Sequence, residues 1–175
     1  MSGQAIDTSR GAEQAAIDVL MDTVVHDGMI SLPVDVEFIA HKLGLVVQRM
    51  RLSNGTDGLL VKDIPYEPFK AVVDADASAR RSRFTLAHEI GHYVKLYQDW
   101  PDGDVAGVAE RRDALSSKGL DEGEIWANGF AAALLMPARL VIRMWGDGCS
   151  VETMADLFNV SETAMSIRVS NLGLE

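Results

Sequence analysis

Apolar positions recur along the chain with two different periods, and the change of period marks the elements. Ala15, Ala16, Ile17, Leu20, Met21 and Val24 follow one another at three- and four-residue spacing, the period of a helix with one buried face. A first helix is therefore predicted over residues 13–25, broken by His26-Asp27-Gly28. Pro33 opens a shorter helical pattern in which Val36, Ile39, Ala40 and Leu43 align before Gly44, a residue suited to the left-handed position just past a helix end. Residues 45–50 are apolar and β-branched, Ser53-Asn54-Gly55-Thr56 is a turn signal, and residues 58–62 are a second extended run. Together they read as a hairpin, and residues 70–74 supply a third strand.

Helical spacing returns at Phe84, Ala87, Ile90, Gly91 and Val94, predicting a helix over residues 81–97. Residues 98–123 are rich in Asp, Gly and Ser, too long for an ordinary connector and typical of a lid, a substrate edge or a mobile segment. A strongly apolar helix follows over residues 124–135 and ends near Pro137. Residues 150–172 hold two short helical patterns separated at Asn159-Val160-Ser161. The predicted class is α+β: a small, mainly antiparallel sheet of about three strands packed on helices, with a C-terminal helical segment. Residues 1–149 form the main unit, and residues 150–175 a helix-turn-helix-like cap belonging to the same domain.

Composition narrows the function classes. At 175 residues one domain is expected, and 47% apolar with 24% charged residues excludes a disordered or fibrous chain. The longest apolar run, Phe130 to Met136, falls short of the ~20 residues a bilayer span needs, so no membrane partner is expected. The N-terminus lacks the basic flank and apolar core of an export signal, and the expected location is the cytoplasm. Cys149 is the only cysteine, so any metal must be held by His and carboxylates. A formal charge of -10 opposes nucleic-acid binding and suits a basic protein partner. The helix-turn-helix-like tail carries four acidic residues, Glu152, Asp156, Glu162 and Glu175, against the single cation Arg168. That leaves little to neutralise phosphates, so no direct nucleic-acid contact is expected and the tail reads as a packed cap or protein-docking surface.

His88-Glu89-Ile90-Gly91-His92 is a His-Glu-x-x-His sequence within a predicted helix. Spacing of four stacks both imidazoles on one face, close enough to share one Zn2+ at about 2.0–2.1 Å, while Glu89 can reach a water beside the ion and accept its proton. Only four histidines exist, and His26 and His41 read as ordinary surface or helix-end residues. A zinc site of the catalytic kind needs a third protein ligand. The extension with Gly and a third His further along the same helix is absent, since those positions are Lys95 and Gln98. Glu124, at the head of an apolar helix with Asn128 one turn later, is a candidate, as are Asp121 and Glu122. An anion at a helix N-terminus is favourable in any case, so charge alone does not choose among the three. Asn128 either hydrogen-bonds a ligand and orients it or makes a local structural bond. Arg80, Arg81 and Arg83 read as a salt-bridged helix entry before they read as a substrate clamp. Tyr93 points about 100° from the second histidine, so the oxyanion donor is unassigned.

Two separated stretches, Arg83-Phe84-Thr85-Leu86-Ala87-His88-Glu89-Ile90-Gly91-His92 and Glu124-x-x-Ala127-Asn128-x-Phe130-Ala131-x-x-Leu134-Leu135-Met136-Pro137, resemble the ImmA/IrrE family of bacterial and phage metallopeptidases. The resemblance implies that His88, His92 and Glu124 are the metal ligands and Glu89 the general base. It implies a zinc endopeptidase, its ligand set also able to take Mn2+ or Fe2+, that cleaves helix-turn-helix repressors and so releases stress-response or mobile-element genes. The alternative from another class is a non-catalytic regulator or toxin-antitoxin component that binds a partner protein through the same fold. A third reading, a DNA-binding regulator acting through the tail, is disfavoured by the tail's charge.

Overall fold

The computed structural model describes residues 11–53, 55–64, 66–96, 108–111 and 122–174. In chain order the elements are α1 (Ala12–Thr23), α2 (Val36–Lys42), β1 (Val46–Met50), β2 (Gly58–Lys62), β3 (Lys70–Asp74), α3 (Ala79–Leu96), β4 (Val108–Arg111), α4 (Glu122–Leu135), α5 (Ala138–Gly146), α6 (Val151–Phe158) and α7 (Glu162–Asn171). The class is α+β, as the periodicities predict.

The strand pairing departs from the expected hairpin. Among the described residues the sheet has four strands in the order β1-β3-β2-β4, with β1 and β3 parallel and the β2–β3 and β2–β4 pairs antiparallel. The hairpin partner of β2 is therefore β3. The reason is burial: Ala71, Val72 and Val73 are all buried, the mark of a central strand covered on both faces, whereas β1 is largely open. A two-residue turn would have forced β1 onto β2, but the seven residues between them allow β3 to insert. The fourth strand, β4, lies inside residues 98–123, read as a long loop of the lid or substrate-edge kind; most of that segment falls outside the described residues.

Local signals start and stop several helices. Asp35, Ser150 and Ser161 accept hydrogen bonds from the backbone N–H groups of Phe38, Thr153 and Ala164, each satisfying an orphan donor of a first turn. Asn159 takes the left-handed conformation that ends α6. Helix α5 is absent from the sequence reading. Pro137 stops α4, and the same proline stands as the residue before α5, its carbonyl accepting from Val141 N–H.

One apolar cluster runs through the molecule, from Leu20 of α1 and Leu60 of β2 to Ile90 of α3, Phe130 of α4, Phe158 of α6 and Met165 of α7. Among the described residues no single helix is long and apolar enough to cross a membrane. Helices α4 and α5 reach that composition only as a pair bent by 56°, and α4 buries Phe130, Ala131, Leu134 and Leu135 in the core.

Arg168 fastens the last helix to the first. It is 6% exposed, donates Nε–H to the Met136 carbonyl at 3.0 Å and forks onto both carboxylate oxygens of Glu13 at 2.7 and 2.8 Å. The tail's only cation therefore points inward. Arg168→Met should cost about 2 kcal/mol, below the 3–5 kcal/mol for a fully buried pair because Glu13 stays partly hydrated. Thermal unfolding should fall by about 4–8 °C. An unchanged melting temperature would show the clasp to be dispensable.

Candidate metal centre

The crossing of α3 and α4 is set by small residues. A Cβ on Gly91 would lie 3.1 Å from a Phe130 ring carbon and 3.3 Å from the Ala127 Cα, so glycine and alanine let the two backbones approach closely. One turn before that crossing α4 carries Glu124, and one turn before it α3 carries His88. The close approach is what brings a carboxylate of one helix over the imidazoles of the other.

The two rings stand edge to face, with centroids 4.6 Å apart. His88 Nε2 lies 2.9 Å from His92 Nε2, and the Glu124 carboxylate reaches them at 3.3 and 3.1 Å respectively. His88 and His92 are buried, and Glu124 opens towards solvent with a quarter of its side chain exposed. These three residues form the only His/Cys/Asp/Glu group suited to a metal ion among the described residues. Lone pairs converging this closely in a buried site repel unless a proton or a cation sits among them. Tetrahedral zinc bonded at 2.0–2.1 Å spaces its donors about 3.3–3.4 Å apart, within a few tenths of an ångström of these separations. Two imidazole nitrogens and one carboxylate thus fit a divalent ion, with coordination left for water.

Asn128 Oδ1 lies 3.0 Å from His88 Nδ1. With that oxygen accepting, Nδ1 carries the proton and Nε2 turns its lone pair towards His92 and Glu124. Glu89 is 1% exposed and rests against the opening of β2. Of the other acidic candidates, Glu122 is exposed at the start of α4 and Asp121 lies outside the described residues. His26 and His41 are exposed and not part of this group, His26 in a small bridge with Met29 and His41 in the last turn of α2. Tyr93 packs edge to face on Phe69, centroids 5.4 Å apart.

The arginines ahead of the motif act as ties. Arg80 pairs with Asp156 of α6, and Arg81 forks onto Asp57 at 2.8 and 2.9 Å, which raises its pKa above the ordinary value. Arg83 donates to the Val34 carbonyl at 2.9 Å, and burial pushes its pKa down against the opposing pull of Asp35 and Glu37.

Two imidazoles one turn apart on a helix, met by a carboxylate from a crossing helix, define the class of metal centres built on a His-Glu-x-x-His helix. The model of the IrrE N-terminal-like domain, Peptidase M78, matches residues 40–170, and the chain belongs to that family. Among curated proteins it is 36% identical over 86 residues to the radiation response metalloprotease IrrE of Deinococcus radiodurans, an alignment covering 47% of this chain and 24% of that protein. It is 32% identical over 127 residues to the protein of the same description from Deinococcus deserti, covering 65% and 43% respectively. The chain thus spans less than half the length of these relatives.

Proposed function

We propose that the chain is a zinc-dependent endopeptidase in which His88, His92 and Glu124 hold the metal and Glu89 is the general base. The observation that carries this reading is the convergence of two imidazole nitrogens and a carboxylate within 2.9–3.3 Å of one another, with a buried glutamate on the same helix beside them. When bound, the ion supplies a Lewis acid beside the scissile carbonyl and a water of lowered pKa, about 7 in catalytic zinc sites. The Glu89 carboxylate accepts the proton of the attacking water and returns it to the leaving amine. Asn128 keeps the His88 ring in the tautomer and orientation that direct Nε2 inward. Asn128→Ala is therefore expected to weaken zinc about 10- to 100-fold, measured by competition with a chromophoric chelator; an affinity within twofold of the parent would refute the role.

The substrate class we propose is a helix-turn-helix transcriptional repressor, cleaved in the cytoplasm to release stress-response genes. Both relatives carry "radiation response metalloprotease" in their descriptions, and a chain of charge -10 complements a basic DNA-binding protein. The tail, residues 150–175, serves this reading as a cap on the same domain: Met154, Phe158 and Met165 share the common core, and Arg168 faces Glu13 rather than solvent. The test is incubation of the zinc-loaded chain with helix-turn-helix repressors from the same genome, followed by mass spectrometry of the products. Cleavage at a defined bond, abolished by chelation and restored by zinc, is expected. An intact repressor alongside fully loaded protein would overturn the substrate assignment.

A further inference from the structure

Strand β2 opens on a residue without a side chain, and the space that leaves is occupied from α3. Gly58 pairs with Val73 of β3 and faces Thr85 and Glu89, which lie four residues apart on one face of α3 and are both buried. A Cβ placed on Gly58 would overlap the Thr85 methyl group, approach Glu89 Oε1 to 2.7 Å and lie 3.2 Å from the Val72 carbonyl oxygen. Glycine inside a strand commonly marks such a close approach.

The three crowded neighbours differ in what they can give. The Val72 carbonyl is main chain in the central strand, and β-branched Thr85 is short, with a single side-chain torsion restricted by the helix. The Glu89 carboxylate is the far end of a side chain with three rotatable bonds, and it yields most readily. We propose that Gly58 is a positioning residue for Glu89: the bare main chain of β2 is the wall against which the carboxylate is seated, and any side chain at position 58 displaces that carboxylate while leaving His88, His92 and Glu124 in place. This rests on the reading of Glu89 as the base. A displacement of about an ångström at a reacting group can lower a rate about 100-fold.

Two variants of the full zinc-loaded chain separate seating of the base from packing of sheet on helix. Gly58→Ala carries both clashes, whereas Gly58→Ala combined with Thr85→Ser removes the methyl overlap and keeps the contact with Glu89. The double variant is expected to regain the parent melting temperature and to bind one zinc per chain, as Thr85→Ser alone does. Its crystal structure is expected to show the Glu89 carboxylate moved by about an ångström with the three donor atoms unmoved. On fluorescein-labelled casein and on the repressor, kcat should fall about 100-fold with KM within twofold. A carboxylate that stays in place, or a double variant that recovers kcat together with its stability, would overturn the inference. A displaced carboxylate in a protein whose parent cleaves neither probe counts instead against the proteolytic reading and supports the seating role.

Discussion

Glu89→Gln is expected to retain one zinc per chain and to lose cleavage by about 10²- to 10⁴-fold in kcat/KM. The substitution replaces one carboxylate oxygen by an amide of the same shape, so the packing against Thr85 and Gly58 is preserved and the neighbouring imidazoles keep their places. In the proposed mechanism, what disappears is the ability to take a proton from water and deliver it to the departing nitrogen. That loss corresponds to about 3–5 kcal/mol of transition-state stabilisation. Parallel metal analysis and cleavage assays decide the matter: a variant that cuts within tenfold of the parent would remove Glu89 from the proton path, and one that loses zinc would make it a ligand.

The second large effect concerns the carboxylate brought in by α4. Glu124→Ala leaves two imidazoles with no third donor among the described residues. Removing a residue that only orients a ligand costs about 10- to 100-fold in metal affinity, so deleting a ligand should exceed that range, and the purified variant should carry far less than one zinc per chain. The informative control is Glu122→Ala, two residues earlier and exposed on another face of the same helix, which should keep its metal. Equal zinc in parent and Glu124→Ala would refute the ligand assignment and with it the metal-dependent mechanism.

The contrast between those two glutamates shows what the sequence could and could not convey. The His-Glu-x-x-His helix is local, and its chemistry can be read from spacing alone because an α-helix fixes which residues stack. The third donor is not local. Three acidic residues crowd positions 121 to 124, and charge gives each the same reason to stand at a helix start. Phase around the helix separates them: Glu124 shares a face with Ala127, Asn128 and Ala131, which turns towards α3, while Glu122 lies about 200° away. The resemblance of the two motifs to a known family chose the residue that the helix crossing brings to the imidazoles.

The fold was legible where neighbouring residues decide the outcome. Helical periodicity, with Gly44 as the stop of α2, located α1, α2, α6 and α7 to within two or three residues, and the β-branched runs located β1 to β3. Pairing was not legible, because which strand occupies the centre depends on burial from both faces, and the Ser53-Asn54-Gly55-Thr56 turn signal pointed to the wrong neighbour. Helix α5 was hidden by Pro137, whose meaning as a stop obscured its suitability just ahead of a new helix. The approach of Gly58 to Glu89 was overlooked, and its signal was available: a lone glycine ahead of the apolar run Leu59-Leu60-Val61.

The clasp between Glu13 and Arg168 brings positions 155 residues apart in sequence within side-chain reach. Polypeptide joined ahead of α1 or behind α7 would therefore emerge from neighbouring points on the surface. A donor and an acceptor fluorophore attached at those two points would lie close together, and their energy transfer would report in real time whether α1 and α7 stay fastened while the protein works.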